Sequence, residues 1–214
     1  INGRPNYPLA FNIRGQAYNA KGETDRAIQD CDQAIRLDAK FAAAYNNRGE
    51  TYQGKRDLDR AIADFDAAIK ANPNYDTAFY NRGLAYRDKR DFDRAIADFG
   101  QAVKIDPKNA AAFNNRGFAF WNKGEGDKAI ADFEQAIKID PKFASAYSNR
   151  GNAYYERRDY DRAIADYDQA IKLNPNTASA WHDRGLAQRD KGNSDRAIAD
   201  FDQAIKLDSK FAAA

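Results

Sequence analysis

Arg14-Gly15, Arg48-Gly49, Arg82-Gly83, Arg116-Gly117, Arg150-Gly151 and Arg184-Gly185 follow one another at a constant spacing of 34 residues. A period of that length, held through the whole chain, means that one small unit is repeated, in place of a single globular core. Aligned on these pairs, the sequence divides into units at 8–41, 42–75, 76–109, 110–143, 144–177 and 178–211. Residues 1–7 read as the end of a preceding unit, because Arg4-Pro5-Asn6-Tyr7 parallels Asn72-Pro73-Asn74-Tyr75, and 212–214 read as the start of a following one. With no methionine among its 214 residues, the sequence reads as a piece of a longer array.

Each unit carries the pattern of two helices. In the second unit Tyr45, Gly49 and Tyr52 fall at i, i+4 and i+7, which places two aromatics and a gap on one face of a first helix. Ala61, Ile62, Phe65, Ala68 and Ile69 make a wide apolar stripe on a second helix. The link Gly54-Lys55-Arg56-Asp57 between them ends on an aspartate able to cap the second helix, and Asp59 adds negative charge at the positive end of its dipole. Arg56, Arg90 and Arg158 alternate with Gly22, Gly124 and Gly192 at one turn position, while Pro73, Pro107, Pro141 and Pro175 stop the second helices. Gly49 lets the paired helices approach, and Ala61 and Ala68 leave room for the large rings. Cys31 stands in the register of Phe65, Phe99, Phe133, Tyr167 and Phe201, and so reads as a small core residue. Such a pair cannot bury its apolar face alone, so the units must stack.

These residues resemble the tetratricopeptide repeat (TPR) family. The resemblance spans 8–211 and rests on the period, the aromatic-glycine-aromatic first helix, the paired alanines and the closing proline. It implies an all-α fold, a right-handed superhelical solenoid of antiparallel helix pairs, whose first helices line a concave groove. Two positions depart from the family pattern: the repeated arginine stands where leucine is usual, and Gln188 replaces the second aromatic of the last unit.

On a wheel of 100° per residue Asn47 lies about 160–200° from the Tyr45–Gly49–Tyr52 face, pointing away from the core. Asn47, Asn81, Asn115 and Asn149 form one row, ending in Ile13 and Asp183. Beside it run Tyr80, Leu84 and Arg87, then Phe118 and Trp121, then Asn152 and Tyr155, then His182 and Arg189. An asparagine amide offers both a donor and an acceptor, matching an extended peptide backbone. The row is similar to the asparagine ladder of some peptide-binding TPR proteins, which implies that an extended segment of a partner protein lies along the groove, with the aromatics as anchors. Members of the family that clamp a terminal carboxylate do so with lysine and arginine. Here Asn12, Gln16, Asn46 and Asn47 occupy the corresponding face of the first two units.

Other chemistries find little support. Basic and acidic side chains number 34 and 32, so overall charge does not point to nucleic acid, and the clusters Lys55-Arg56, Lys89-Arg90 and Arg157-Arg158 are each followed by aspartate. One histidine and one cysteine cannot build the usual zinc site, and no phosphate-cradling glycine loop is present, Gly124-Glu125-Gly126-Asp127-Lys128 being a turn between helices. No cofactor is expected. His182 has no serine or cysteine nucleophile placed beside it by the repeat, so the reading is of an interaction module and not an enzyme. No apolar run approaches the ~20 residues that span a bilayer. A second reading is self-assembly through the apolar face of Ala197, Ile198, Phe201 and Ile205, since arrays without a polar end cap expose such a face.

The repeated arginine remains. Arg48 lies about 60° from Tyr45 on the wheel, at the border of the buried stripe, and needs a partner. A spacing of 16 residues pairs Arg14 with Asp30, Arg48 with Asp64, Arg82 with Asp98, Arg116 with Asp132, Arg150 with Asp166 and Arg184 with Asp200, as ion pairs across each hairpin. The competing acid, 16 residues earlier, is Asp32 for Arg48, a series broken at Gly100. On sequence alone Arg116→Leu is expected to be tolerated better than Asp132→Ala.

Overall fold

The structure, a computed structural model, describes residues 7–207. Of the expected repeat remnants at 1–7 and 212–214 all but Tyr7 lie outside the described residues, as do 208–211 of the last expected repeat. The chain divides into two compact units, 1–107 and 108–214. The first contains α1 (Pro8–Ala20), α2 (Thr24–Leu37), α3 (Ala42–Gly54), α4 (Leu58–Ala71), α5 (Asp76–Asp88) and α6 (Phe92–Ile105). The second contains α7 (Ala110–Asn122), α8 (Gly126–Ile139), α9 (Ala144–Glu156), α10 (Tyr160–Leu173), α11 (Ala178–Asp190) and α12 (Ser194–Leu207). The fold is all-α, and each unit is a short solenoid of three stacked helix hairpins.

Local chemistry sets the helix ends. Asp57 Oδ1 accepts from the Arg60 amide at 3.2 Å, and Asp91 and Asp159 cap α6 and α10 in the same way. The turn before each second helix needs one left-handed residue: Gly22, Gly124 and Gly192 supply it at φ 76–92°, and Arg56, Arg90 and Arg158 are held there at 59–62°. At the far end, Asn72, Asp106, Asp140 and Asn174 are extended, as a residue preceding proline must be.

The hairpin core is a ring set into a gap. Phe65, Phe99 and Phe133 are 0% exposed and Tyr167 is 1% exposed. Each burial contributes about 2–3 kcal/mol. The gap comes from the glycine of the first helix: a Cβ added at Gly49 would stand 2.7 Å from Phe65 Cε1, and Gly83 faces Phe99 at the same distance. In the first hairpin the ring is replaced by the buried thiol of Cys31, whose Sγ would lie 3.3 Å from a Cβ on Gly15. Burial pushes the Cys31 thiol up to about 12, which suits a packing residue and not a nucleophile. Gln188, at the position of a usual aromatic, is 6% exposed and accepts from Asn193 Nδ2 at 2.8 Å, so the last hairpin closes with a satisfied amide.

The second helices are amphipathic in the simple sense, but the first helices are not. Within a unit a first helix that follows another hairpin packs on its own second helix, on the second helix before it and on the neighbouring first helix, as α3 does on α4, α2, α1 and α5. Its buried set is therefore spread around the axis: in α3 it is Ala44, Asn46, Asn47, Gly49 and Thr51, while Tyr45 and Tyr52 are half-buried. The cation of Arg60 lies over the Tyr52 ring at 4.4 Å, and Arg94 over Tyr86 and Arg162 over Tyr154 repeat the distance.

The ring-in-gap packing makes the cost of a methyl group depend on what faces the glycine. Gly49→Ala is expected to lose about 1–3 kcal/mol through overpacking against Phe65. Gly15→Ala should be close to neutral, since the helix-propensity gain of ~1 kcal/mol opposes a milder contact. Urea unfolding of the two variants checks the order.

Candidate functional site

In each unit the first helices touch one another (α1 with α3, α3 with α5, α7 with α9, α9 with α11), whereas among the described residues second helices of successive hairpins do not. The stack within a unit is closer on the first-helix side, which makes that side concave. The residues expected to bind a partner stand there, but many are already engaged.

Asn47 is 6% exposed and Asn81 8%, so neither points freely into a groove. Asn47 Nδ2 donates to Asn12 Oδ1 at 2.7 Å, Asn81 Nδ2 to Asn46 Oδ1 at 3.0 Å, and Asn149 Nδ2 to Asn114 Oδ1 at 2.9 Å. Each bond joins a first helix to the one before it. Asn81 also donates to Glu50 Oε1 at 2.7 Å, which uses its second N–H. Asn115 Nδ2 bonds within its own helix, to the Ala111 carbonyl at 2.9 Å. The outward placement read from the wheel thus needs correction: a single-helix wheel omits the neighbouring first helix that covers this face. At about 0.5–1.5 kcal/mol each, the amide bonds sew adjacent hairpins together.

The row further along the helices behaves similarly. Trp121 Nε1 donates to Glu156 Oε2 at 2.6 Å, and Tyr155 hydroxyl to Asp190 Oδ2 at 2.6 Å, again between neighbouring first helices. Phe118 meets Trp121 edge-on, with centroids 5.8 Å apart, and both rings and Tyr155 pack against the core. These aromatics are half-buried, not free anchors. Tyr80 tilts against Phe99 at 5.8 Å with burial raising its phenol, Leu84 is half-buried, and Arg87 pairs with Asp88 at 2.9 Å.

One stretch of this surface stays open. Between α9 and α11 lies a cavity of about 390 Å³ lined by Ser145, Ser148, Asn149, Asn152, Asn174, Thr177, Ser179 and Asp183 with three alanines. A smaller hollow of about 240 Å³ between α1 and α3 is lined by Gln16, Asn19, Asn47 and Glu50 among others. The serines, Thr177, Asn174 and Asn114 were not singled out from sequence, and Asn12 and Asn46 were read as groove face and not as partners of the row. The signal for the partners is an offset of 35 residues, one more than the period.

The repeated arginines lie at the edge of the hairpin. Arg48 holds Asp64 with two bonds, Nε to Oδ2 at 2.8 Å and Nη2 to Oδ1 at 2.6 Å, and the same fork joins Arg14 to Asp30, Arg82 to Asp98, Arg116 to Asp132, Arg150 to Asp166 and Arg184 to Asp200. The two acids do not compete. Arg48 Nη1 also reaches Asp32 at 2.5 Å, Arg82 reaches Asp66 at 2.6 Å, and Arg184 reaches Asp168 at 2.5 Å, tying the second, third and sixth hairpins to the ones before them. These carboxylates hold Arg48 and Arg82 protonated well above the usual arginine range. Burial raises Asp98 against the pull of Arg82. At the turn edge Lys55 pairs with Asp25 at 2.8 Å, Lys89 with Asp59 at 2.5 Å and Arg157 with Asp127 at 2.7 Å, so cations of the basic clusters serve contacts between hairpins. Exposed as they are, these pairs each add little.

Models of the tetratricopeptide repeat match residues 148–210 and 42–75, and a further TPR-repeat model matches 15–55, 83–124 and 123–157. The chain belongs to the tetratricopeptide-repeat family. Among solved structures it is similar to MamA, at 30% identity and TM-score 0.70, over 78% of this TPR chain and 97% of that one. YrrB, described as a TPR protein with an unusual peptide-binding site, is 22% identical with TM-score 0.69 over 86% and 95% of the two chains. Pseudomonas aeruginosa pilF shares the fold at 18% identity, with TM-score 0.85 over 99% of both chains. No curated protein matches the sequence. As a TPR array the protein is a scaffold for protein interaction, and no catalytic family is indicated. Among the described residues no helix is long and apolar enough to cross a membrane.

The burial of the forked pairs reverses the mutational order expected from sequence. Asp132 is the more enclosed partner, its side chain 8% exposed against 22% for Arg116. Arg116→Leu strands a carboxylate away from water, whereas Asp132→Ala leaves a guanidinium that can reach it. Denaturant melts should show a loss of about 2–3 kcal/mol for Arg116→Leu and a smaller one for Asp132→Ala. Equal, negligible losses would mean the pairs are idle.

Proposed function

We propose that this TPR protein binds an extended segment of another protein along the concave faces of its units. The observation that carries the reading is the cavity of about 390 Å³ between α9 and α11, whose polar lining is uncharged apart from Asp183. Hydroxyls and amides of this kind serve peptide carbonyls and amides without dictating side chains. The peptide-binding site ascribed to YrrB is in keeping with it. In this reading Asn149 and Asn152 contact the segment directly, with Asn115, Phe118, Trp121 and Tyr155 forming the walls on that unit. Asn47, Asn81, Tyr80, Leu84 and Arg87 present the equivalent surface on the other unit, where the ladder leaves the amides fewer open valences. Alanine substitutions in the ladder would disturb the seam between hairpins as well as binding, so the decisive change is one that fills the hollow. Ser148→Trp is expected to weaken peptides selected from a random display library about tenfold or more, a loss of ~1.4 kcal/mol, with the thermal midpoint unchanged. Unaltered affinity, or the absence of any retained peptide on the wild-type array, would contradict the reading.

A second reading, self-association, is favoured by one observation: α12 leaves Ile198 59% and Ile205 45% exposed on one face. Light scattering should then show a mass that rises with concentration and falls back in the Ile198→Ser, Ile205→Ser double variant. A constant monomer mass at high concentration removes this reading.

A further inference from the structure

The fifth hairpin departs from the others at two positions that meet. Tyr167 stands where Phe65, Phe99, Phe133 and Phe201 stand in other repeats, and Asn152 where they carry Gln16, Glu50, Leu84, Phe118 and Leu186. The hydroxyl of Tyr167, a residue 1% exposed, donates to Asn152 Oδ1 at 2.7 Å. With its oxygen held by the Tyr167 hydroxyl, the Asn152 amide is left with its NH2 group for the cavity that the residue lines. Among the described residues nothing accepts from that Nδ2. The cavity thus presents a fixed donor.

Across it stands an acid whose ion-pairing neighbour is a histidine, with no lysine or arginine on the cavity wall. Asp183 replaces the asparagine of Asn47, Asn81, Asn115 and Asn149. Its Oδ1 is 3.1 Å from His182 Nδ1, and its side chain is 30% exposed. Burial pushes the Asp183 carboxyl above the usual carboxylate range, opposed by His182, which marks a negative charge short of compensation. The neighbouring concave acids add to the field. Glu156 is satisfied by the neutral Trp121 indole, and Asp190 by the Tyr155 hydroxyl and by Arg189, at 2.7 Å. Three acids against one arginine and one titratable histidine make a wall that attracts positive charge.

We propose that the hollow between α9 and α11 takes a basic residue of the bound segment, its ammonium or guanidinium group on Asp183 and a backbone carbonyl of the same segment on Asn152 Nδ2. The proposal rests on the peptide-groove reading above and gives it a ligand class: a lysine- or arginine-bearing extended segment. Tyr167 acts through Asn152 and is a positioning residue.

The test uses the full chain and three N-acetylated, C-amidated alanine-serine peptides that differ only in a central lysine, norleucine or glutamate, titrated by NMR. The lysine peptide should bind about tenfold more tightly than the norleucine peptide, with glutamate weakest, and the preference should shrink as salt is raised. Asp183→Asn should bring the lysine peptide down to the norleucine level. Tyr167→Phe, which installs the residue present in four other repeats, and Asn152→Leu, the residue of two others, should fold normally. Both should weaken all three peptides several-fold, and the Asn152 side-chain amide resonance, which shifts on binding in the wild type, should cease to do so in Tyr167→Phe. Equal binding of lysine and norleucine peptides, or a lysine preference that survives Asp183→Asn, overturns the proposal while leaving the groove reading in place. Failure of every peptide to bind removes the groove reading itself.

Discussion

The distance between the two helices of a hairpin is set by a ring lying in the space of a missing side chain. Phe65 occupies the gap at Gly49, and the same contact recurs at Gly83, Gly117, Gly151 and Gly185. That spacing brings the first and second helices close enough for the Arg48 fork to close on Asp64, and it orients each hairpin so that its remaining apolar surface meets the next. The arginine is therefore a consequence of the ring-and-gap packing before it is anything else. Its third N–H, reaching the acid of the preceding hairpin, converts a bond within a repeat into a bond between repeats.

The concave surface has two tasks drawn from one supply of polar groups. Stacking requires neighbouring first helices to satisfy each other, and it uses amides, an indole N–H and a phenol hydroxyl to do so. Binding requires groups left over. Unit by unit these demands conflict: at Asn81 both donors are spent within the stack, whereas at Asn152 the core supplies the oxygen's partner and leaves the NH2 group. Where a repeat departs from its neighbours, at Asn152, Tyr167 and Asp183, the surface stops being seam alone.

The hairpins, the glycine gap, the aspartate caps and the Arg–Asp pairs were legible because each depends on residues held at fixed separations by helix geometry. Asp57 lies three residues from the amide it caps, and Arg48 lies across a short turn from Asp64. The asparagine row was legible as a row, but not as to what its amides do. Nor did the wheel distinguish exposed rings from Trp121 and Tyr155, which lean on the next helix. The error at Asn47 and Asn81 has one cause: a wheel divides a helix into core and solvent, and the first helices of a stack have neighbours on more than two sides. The relative burial of Arg116 and Asp132, which decides which loss is worse, is likewise a property of the assembled edge.

The sequence by itself determined the repeat, its two helices, the turn chemistry and the family, because 34-residue spacing, apolar periodicity and glycine placement act over short stretches of chain and tolerate no other local structure. The tertiary structure alone decided which polar side chains are consumed between hairpins and which stay open to a ligand. That choice depends on the separation of helices whose interacting residues lie 35 positions apart, a distance created by packing and written in no single unit.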